Sequence, residues 1–391
     1  MKRILFLVSN LDCGGVQKSF VNLINAMDRK RYEIDVFLFV HGGAFMRFMP
    51  ADVNLIRSDY TEYLFYYFPK SIKALISHGY YGLAVKRLFQ FLVSRFSRSY
   101  GGFLMSRMIK PLDKYYDVAI DEGGQALLYY MVDKVNADKR YSFFHSDYAQ
   151  WDYYYRMDKK YYPLIDGVLT ISEQCVNSIK KYFPFVSDKT YLMENISSVD
   201  FIKSLSLDVV SDIPFSRDHR ILMTLGRLCE EKGVDLALDV AKELKNKGLK
   251  YRWYFIGDGP KRALYEKKAH SLGLDDEVFF LGMRINPYAY IKLANLIVHP
   301  SLYEGKSIAL DEVKILCKPL VITNFSTVKD QFEDRVNASI CDFTVESISD
   351  AIVELLDNES LRNTYIRNLR NNIYDNTDQV NVLYVLWQEA Q

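Results

Sequence analysis

The sequence predicts an α/β protein made of two doubly wound parallel sheets that face a cleft. Three observations predict it. Short apolar runs of strand length recur along the chain, most of them separated by stretches with helical spacing. The first run ends in a glycine-bearing loop that opens a helix and leads to a second run, which is a βαβ unit. The pattern then breaks and restarts, so the 391 residues form two halves of similar size, as about 100–200 residues per domain would require.

Ile4–Ser9 reads as a buried parallel strand, continuously apolar and followed by the polar loop Asn10–Gly15. Val16, Phe20, Leu23, Ile24 and Met27 then fall at helical spacing, and Glu33–Val40 is the second strand. Further strands are expected at Val53–Ile56, Val118–Ile120, Tyr141–Phe144, Val168–Ile171 and Thr190–Leu192. Residues 204–217 hold Ser, Asp and Pro214 without a period and read as a linker. Strands resume at Ile221–Thr224, Trp253–Ile256, Val278–Leu281, Leu296–His299, Leu320–Thr323 and Ala338–Cys341, with helices at Val234–Lys247 and Lys261–Leu272. Val380, Leu383, Tyr384 and Trp387 repeat at helical spacing near the end. The expected division is therefore 1–203, a linker at 204–217, a second half at 218–372, and a helix within 373–391 that can pack back on the first half. Both halves are Rossmann-like, and such sheets bind ligands at the carboxyl ends of their strands.

Composition removes several classes. With 50 Lys+Arg against 49 Asp+Glu the chain is close to neutral, which argues against a nucleic-acid binder. The five cysteines at 13, 175, 229, 317 and 341 are odd in number and include no C-x-x-C. They form neither a disulfide framework nor a zinc site and fit a cytoplasmic compartment. The apolar run Ile4–Val8 is too short for a secretory leader, and no stretch of about 18 uncharged apolar residues offers a membrane span.

Four local sequences in the second half stand at strand ends. Gly226-Arg227-Leu228 with Lys232-Gly233 follows the first strand, and Gly257-Asp258-Gly259-Pro260 follows the second. Pro300–Gly305 (PSLYEG) follows Leu296–His299, and Glu312 lies eight residues beyond Glu304. Arg227 and Lys232 put two cations on one loop, as a diphosphate requires. A helix starting near Ser307 would turn its N-terminus, an anion site, toward the same place. Glu312, five residues in, would lie about 7.5 Å along the axis. An Arg–Lys pair flanking Glu230 and Glu231, a turn glutamate and a helix-face glutamate are the ordinary alternatives. Gly257–Pro260 reads as a structural turn with Pro near the first helical position, and His299, in an apolar run, as core.

The order GRL…KG, IGDGP, PSLYEG-x(6)-E, KPLV over Ile221–Asn358 resembles the nucleotide-sugar domain of glycosyltransferase family 4, retaining enzymes of the GT-B fold. The resemblance implies that Arg227 and Lys232 contact the donor diphosphate, that Glu304 meets hydroxyls of the donor sugar, and that Glu312 binds the ribose. It also implies donor contacts from Gly305, Lys306, Ser307 and Ile308. Lys306-Ser307 replaces the usual apolar residue and Gly, and Cys317 stands at a usual Gly position, so the turn before Lys318-Pro319 is expected to differ.

The first half matches at two places. Gly14-Gly15 opens a helix after the first strand, and the resemblance implies a glycine-rich loop near the donor; a plain strand–helix turn is the alternative. His145, at the end of Tyr141–Phe144, resembles the family histidine near the donor sugar and its leaving phosphate; otherwise it is a hydrogen-bonded loop histidine. Asn195, in Glu194–Asp200, resembles a segment before the linker and suggests a domain-edge role.

Near-neutral charge hides a segregated segment. Residues 63–112 contain no Asp or Glu, eight Lys or Arg and twelve aromatics, leaving 42 basic against 49 acidic residues elsewhere. On a wheel of about 100° per residue, Val85, Leu88, Phe89, Leu92, Val93 and Phe96 share one face and Lys86, Arg87, Arg95 and Arg98 the other. Phe91 falls among the basic residues. Contact with an anionic membrane surface and an ordinary surface helix both fit this pattern.

The expected protein is thus a hexosyltransferase-type enzyme, retaining and metal-independent. It would move a sugar from a nucleotide diphosphate sugar, by family a UDP-sugar, to a glycan or lipid-linked glycan during synthesis of a cell-surface polysaccharide such as capsule. His145 and Glu304 are its expected catalytic residues. It would need no cofactor and no metal, since the chain has no D-x-D triplet, would bind no nucleic acid, and would work in the cytoplasm or on the inner face of the plasma membrane. A nucleotide-sugar epimerase or hydrolase of the same fold, and a non-catalytic partner subunit, remain as alternatives.

Overall fold

The computed structural model describes residues 1–12, 14–213, 218–304 and 307–388. The chain divides into two compact units, Met1–Ile196 with Asn376–Gln391, and Ser197–Asp375.

The first unit holds a seven-stranded parallel sheet: β1 (Lys2–Val8), β2 (Tyr32–Leu38), β3 (Asn54–Ile56), β4 (Leu112–Asp121), β5 (Val135–Phe144), β6 (Gly167–Thr170) and β7 (Thr190–Leu192), in the order β3-β2-β1-β4-β5-β6-β7. The second holds six parallel strands: β8 (Arg220–Leu225), β9 (Tyr251–Ile256), β10 (Val278–Gly282), β11 (Leu296–His299), β12 (Leu320–Thr323) and β13 (Ser339–Cys341), in the order β10-β9-β8-β11-β12-β13. Each sheet reverses its strand order once, between β1 and β4 and between β8 and β11. Reversal opens a crevice at the strands' carboxyl ends, the usual ligand position of doubly wound sheets.

Burial on both faces explains why most strands read as continuous apolar runs: Ile4, Leu5, Phe6 and Leu7 of β1 are fully buried, as are Leu222 and Met223 of β8. β4 and β5 begin well before the apolar runs, because their polar early residues pair with each other from Leu112↔Val135 onward while staying partly exposed. The Val234–Asn246 helix packs Val234, Ala237, Leu238, Ala241 and Leu244 into the second core, at the i, i+3, i+4, i+7 spacing of one helix face. Burying a Leu or Val stabilises by about 1.5–3 kcal/mol.

One expectation needs correction. The first boundary falls after Ile196, not after 203, because the Val199–Leu205 helix buries Ile202 in the second unit and Leu205 accepts from Asn286 Nδ2 at 2.7 Å. Residues 214–217 of the expected linker lie outside the described residues. Pro260 precedes the N-cap Lys261 of the Arg262–Ser271 helix, two residues before its first residue, so it closes the turn near that position as expected. The sequence left open which face packs in the Tyr81–Phe96 helix. It docks through Ala84, Arg87 and Gln90, and the apolar face from Val85 to Phe96 is turned largely to solvent.

The Val380–Gln388 helix belongs to the first unit. Val380, Leu383 and Trp387 are buried, Tyr384 stacks on Tyr32 with ring centroids 5.0 Å apart, and the Asp28 amide donates to the Tyr384 hydroxyl at 2.6 Å.

Candidate functional site

In the second unit, the loops after β8 and β11 flank the point where strand order reverses, and their backbones are locked together. Gly233 adopts φ +61°, and a Cβ there would lie 1.9 Å from the Pro300 carbonyl oxygen, so only glycine fits. Leu302 N–H donates to Glu231 O at 2.8 Å. The loop after β9 is equally close: a Cβ on Gly257, at φ +144°, would meet Gly226 O at 1.9 Å. The Gly257–Pro260 turn therefore supports the Arg227 loop.

This scaffold brings Lys232 and Glu304 into a direct ion pair, Nζ to Oε1 at 2.5 Å. The same Oε1 accepts from His299 Nε2 at 2.9 Å and from Ser301 Oγ at 2.8 Å. Burial pushes the Glu304 carboxyl up, but the His299 hydrogen bond and charge together with Lys232 outweigh it and hold the group down at about 2. Glu304 is a fixed anion and can only accept hydrogen bonds. Its backbone is held as well, since Thr327 Oγ1 donates to Glu304 O at 3.0 Å and Thr323 Oγ1 to Ser301 O at 2.6 Å. Arg227 is exposed beside this cluster, and its guanidinium makes no hydrogen bond among the described residues.

Ser307 is the N-cap of the Ile308–Ile315 helix, with no side-chain capping bond, and Ile308 is its first residue. The first-turn N–H groups are therefore left without a side-chain acceptor at the N-cap. Glu312 is the fifth residue, as the spacing predicts, but its side chain is buried and accepts from Tyr288 OH at 3.1 Å. Gly305 and Lys306 lie outside the described residues. Cys317 keeps the left-handed backbone of the glycine it replaces, at φ +50°, with Lys318 N–H donating to Val313 O.

His299 and Ser301 were missed as site residues. His299 is buried, as expected of core, but its ring is spent on Glu304. A strand-end histidine five residues before a glutamate, across a loop that turns back, is the signal that could have found it.

In the first unit, Gly14 caps the Gly15–Ala26 helix with extended backbone and no side-chain capping bond, and Gln17 Oε1 lies 2.3 Å from where a Cβ on Gly14 would be. His145 follows β5 and is buried between two partners. Nε2 faces Glu122 Oε2 at 3.0 Å, Nδ1 faces Asn195 Oδ1 at 3.0 Å, and the ring stacks on Phe143 at 4.0 Å. A carboxylate and an amide oxygen both only accept, so the ring nitrogen is the donor in each of these two contacts. Asn195, expected at a domain edge, orients the ring. Glu122 is a third residue that sequence reasoning missed. It follows β4 directly, and its amide donates to Leu7 O at 3.0 Å, which puts it at the reversal point of this sheet. The signal was Asp121-Glu122-Gly123-Gly124 at a strand's carboxyl end. Among the described residues no cluster of His, Cys, Asp and Glu could hold a metal ion.

Known proteins bear on both units. Residues 211–372 match the family model described as glycosyl transferases group 1. The alpha-D-kanosaminyltransferase of Streptomyces kanamyceticus is 32% identical over 154 residues, 39% of this chain and 40% of that protein. The poly(ribitol-phosphate) alpha-N-acetylglucosaminyltransferase of Staphylococcus aureus is 24% identical over 223 residues, 56% of this chain and 42% of that protein. The chain thus spans less than half the length of these relatives. Solved structures match end to end. A mutant of S. aureus TarM, in complex with Fondaparinux, alpha-GlcNAc-glycerol and UDP, superposes with a TM-score of 0.69 at 16% identity, covering 100% of both chains. Anabaena HepE, in complex with UDP and glucose, gives 0.66 at 14% identity over 98% of each. The second unit therefore matches the glycosyl transferases group 1 model, in a chain that has the two-domain Rossmann-like fold of GT-B structures such as TarM.

Proposed function

We propose that the chain is a retaining glycosyltransferase that moves a sugar from a nucleotide diphosphate sugar, a UDP-sugar, to a hydroxyl of a glycan, lipid-linked during synthesis of a cell-surface polysaccharide. The observation that carries the reading is the Lys232–Glu304 cluster at the reversal point of the second sheet, with the exposed Arg227 beside it. UDP in the TarM and HepE complexes supports the donor class, and transferase relatives support transfer over isomerisation.

Each residue has a definite task. Lys232 has three N–H donors, so its ammonium can keep Glu304 and still donate to a phosphate oxygen. Arg227 offers a two-pronged fork to the same diphosphate. Glu304, fixed as an anion, accepts from a hydroxyl of the donor sugar and orients the ring. In the transfer, the bond from the anomeric carbon to the diphosphate oxygen breaks and a bond to the acceptor oxygen forms on the same face. The acceptor proton passes to the leaving diphosphate. Arg227, Lys232 and the free N–H groups at Ile308 stabilise the charge that develops there, which leaves no required role for a metal. His145 is held rigid at the end of β5 by Glu122 and Asn195.

Thermal-shift measurement with a panel of nucleotide diphosphate sugars tests the donor class, because a ligand stabilises by RT ln(1 + [L]/Kd). Donor turnover with and without a glycan acceptor tests transfer. Release of sugar that is indifferent to acceptor, or turnover unchanged by Lys232→Ala, overturns the reading.

A further inference from the structure

The Tyr81–Phe96 helix is built inside out. At about 100° per residue, Val85, Leu88, Phe89, Leu92 and Phe96 line one stripe, and that stripe is turned to solvent: Val85 is 69% exposed, Phe89 59% and Phe96 93%. The opposite side carries the polar residues into the protein. Arg87 is buried and donates from Nε to Leu64 O at 2.9 Å and also to Gln90 Oε1. Gln90 Nε2 in turn donates to Gly101 O at 2.9 Å. Phe91, which the wheel places among the basic residues, stacks on Phe68 with centroids 3.8 Å apart and planes within 8°. An arginine and a glutamine buried with matched acceptors fix the helix in this orientation, since turning it over would strand both groups. The exposed stripe is therefore a built feature and not an accident of a loosely held helix.

Contiguous apolar surface of this kind marks an interaction site, and the charges around it select the occupant. Lys86 and Arg95 fall on opposite flanks of the stripe, and both are exposed. Lys73, on the neighbouring Lys70–Ser77 helix, and Arg98, just beyond the stripe, are exposed too. No acidic residue occurs between 63 and 112 to oppose them. An apolar stripe with cations on both sides is the pattern of a helix lying in a lipid interface, its aromatic and aliphatic side chains at acyl depth and its cations among anionic headgroups. A protein partner would be served by the stripe alone and would gain nothing from a segment cleared of acids. No helix among the described residues is long and apolar enough to cross a membrane, so contact would be peripheral. We propose that the Tyr81–Phe96 helix docks the first unit on an anionic lipid surface. The inference rests on this helix and its flanks and stands apart from the sugar chemistry.

Flotation of the full chain with vesicles tests it. At low salt, vesicles of phosphatidylcholine with a third phosphatidylglycerol should carry at least about tenfold more protein than pure phosphatidylcholine. The difference should shrink at about 1 M salt, where screening shortens the Debye length to roughly 3 Å. Leu88→Ser with Phe89→Ser and Phe96→Ser should lose the binding at unchanged melting temperature, since these side chains leave no core position empty. Lys86→Glu with Arg95→Glu should lose it as well and gives a second test that removes no apolar group. Equal binding to neutral vesicles, no flotation with anionic ones, or full binding by either variant overturns the proposal. So does light scattering that shows an oligomer abolished by the serine variant, because a second copy would then cover the stripe.

Discussion

The two sheets reverse strand order in the same way, yet their reversal points are chemically opposite. The second is built around opposite charges: Glu304 is clamped by Lys232, His299 and Ser301 and stays ionised. The first is acid-rich and buried. Asp121 ends β4 and is pushed up to about 7 by burial, against the pull of Ser142 and the Gly123 and Gly124 amides, and Glu122 follows it against His145. One fold thus offers a cationic cradle in one unit and a closed acid–imidazole set in the other. The strand ends decide where a site can be, and the side chains placed there decide its charge.

The largest effect should come from breaking the second point. Glu304→Gln and Lys232→Ala should each lower kcat/KM about 10²–10³-fold, read by donor turnover with glycan acceptor, with a much smaller change in melting temperature. Gly233→Ala should do comparable harm without deleting any functional group. Its Cβ collides with the Pro300 carbonyl and parts the loop bearing Lys232 from the loop bearing Glu304. If Gly233→Ala keeps full activity, the locked pair of loops is not what forms the site.

The matching change in the first unit should act on stability first. His145→Ala leaves Glu122, 4% exposed, as a buried carboxylate without its Nε2 partner. Such losses cost about 3 kcal/mol, measurable by urea denaturation. Adding Glu122→Gln removes the stranded charge and should restore about half. If His145→Ala instead leaves stability intact while turnover collapses, the contrast between the two points fails.

Acid titration separates them further. Glu304 lies below the ordinary carboxylate range, so its contribution is complete above about pH 4.5 and is lost as pH falls toward 2. Asp121 has the opposite sign. Between about pH 4 and 7 the folded form keeps a proton that the unfolded chain has released, so stability falls as pH rises through that window and is flat above it. Asp158, buried under the hydroxyls of Tyr129 and Tyr148, behaves alike and is also pushed up to about 7. Melts from pH 5 to 8 should show a combined loss of at most about 5 kcal/mol, two pH units for each of two groups at about 1.4 kcal/mol per unit, and Asp121→Asn should remove its share.

Much of this was legible in the sequence. Every expected strand occurs, because buried parallel strands announce themselves as apolar runs between polar loops. The second reversal point was legible because its parts lie in short contiguous motifs, so that Lys232 and Glu304 could be named from two loops. Glu122 was not, since its partner His145 lies 23 positions away and meets it only through the pairing of β4 with β5. The orientation of the Tyr81–Phe96 helix was illegible for another reason. A wheel separates two faces but does not say which one packs, and that depended on the Leu64 carbonyl accepting from Arg87.

The smallest predicted effect tests how far the second unit can leave its motif and keep its geometry. Cys317 sits at φ +50° after the Ile308–Ile315 helix, a conformation that a side chain strains and glycine does not. Its amide donates to Lys314 O, and Lys318 N–H reaches back to Val313 O, so the backbone closes as it would around glycine. The strain is of order 1 kcal/mol, partly offset by the greater freedom of glycine in the unfolded chain. Cys317→Gly should therefore raise the melting temperature by about 1–3 °C and leave turnover unchanged. Cys317→Ala keeps the Cβ and should gain nothing. If both variants stabilise equally, the thiol and not the backbone is the source of strain, and the turn owes less to a glycine-like conformation than its hydrogen bonds suggest.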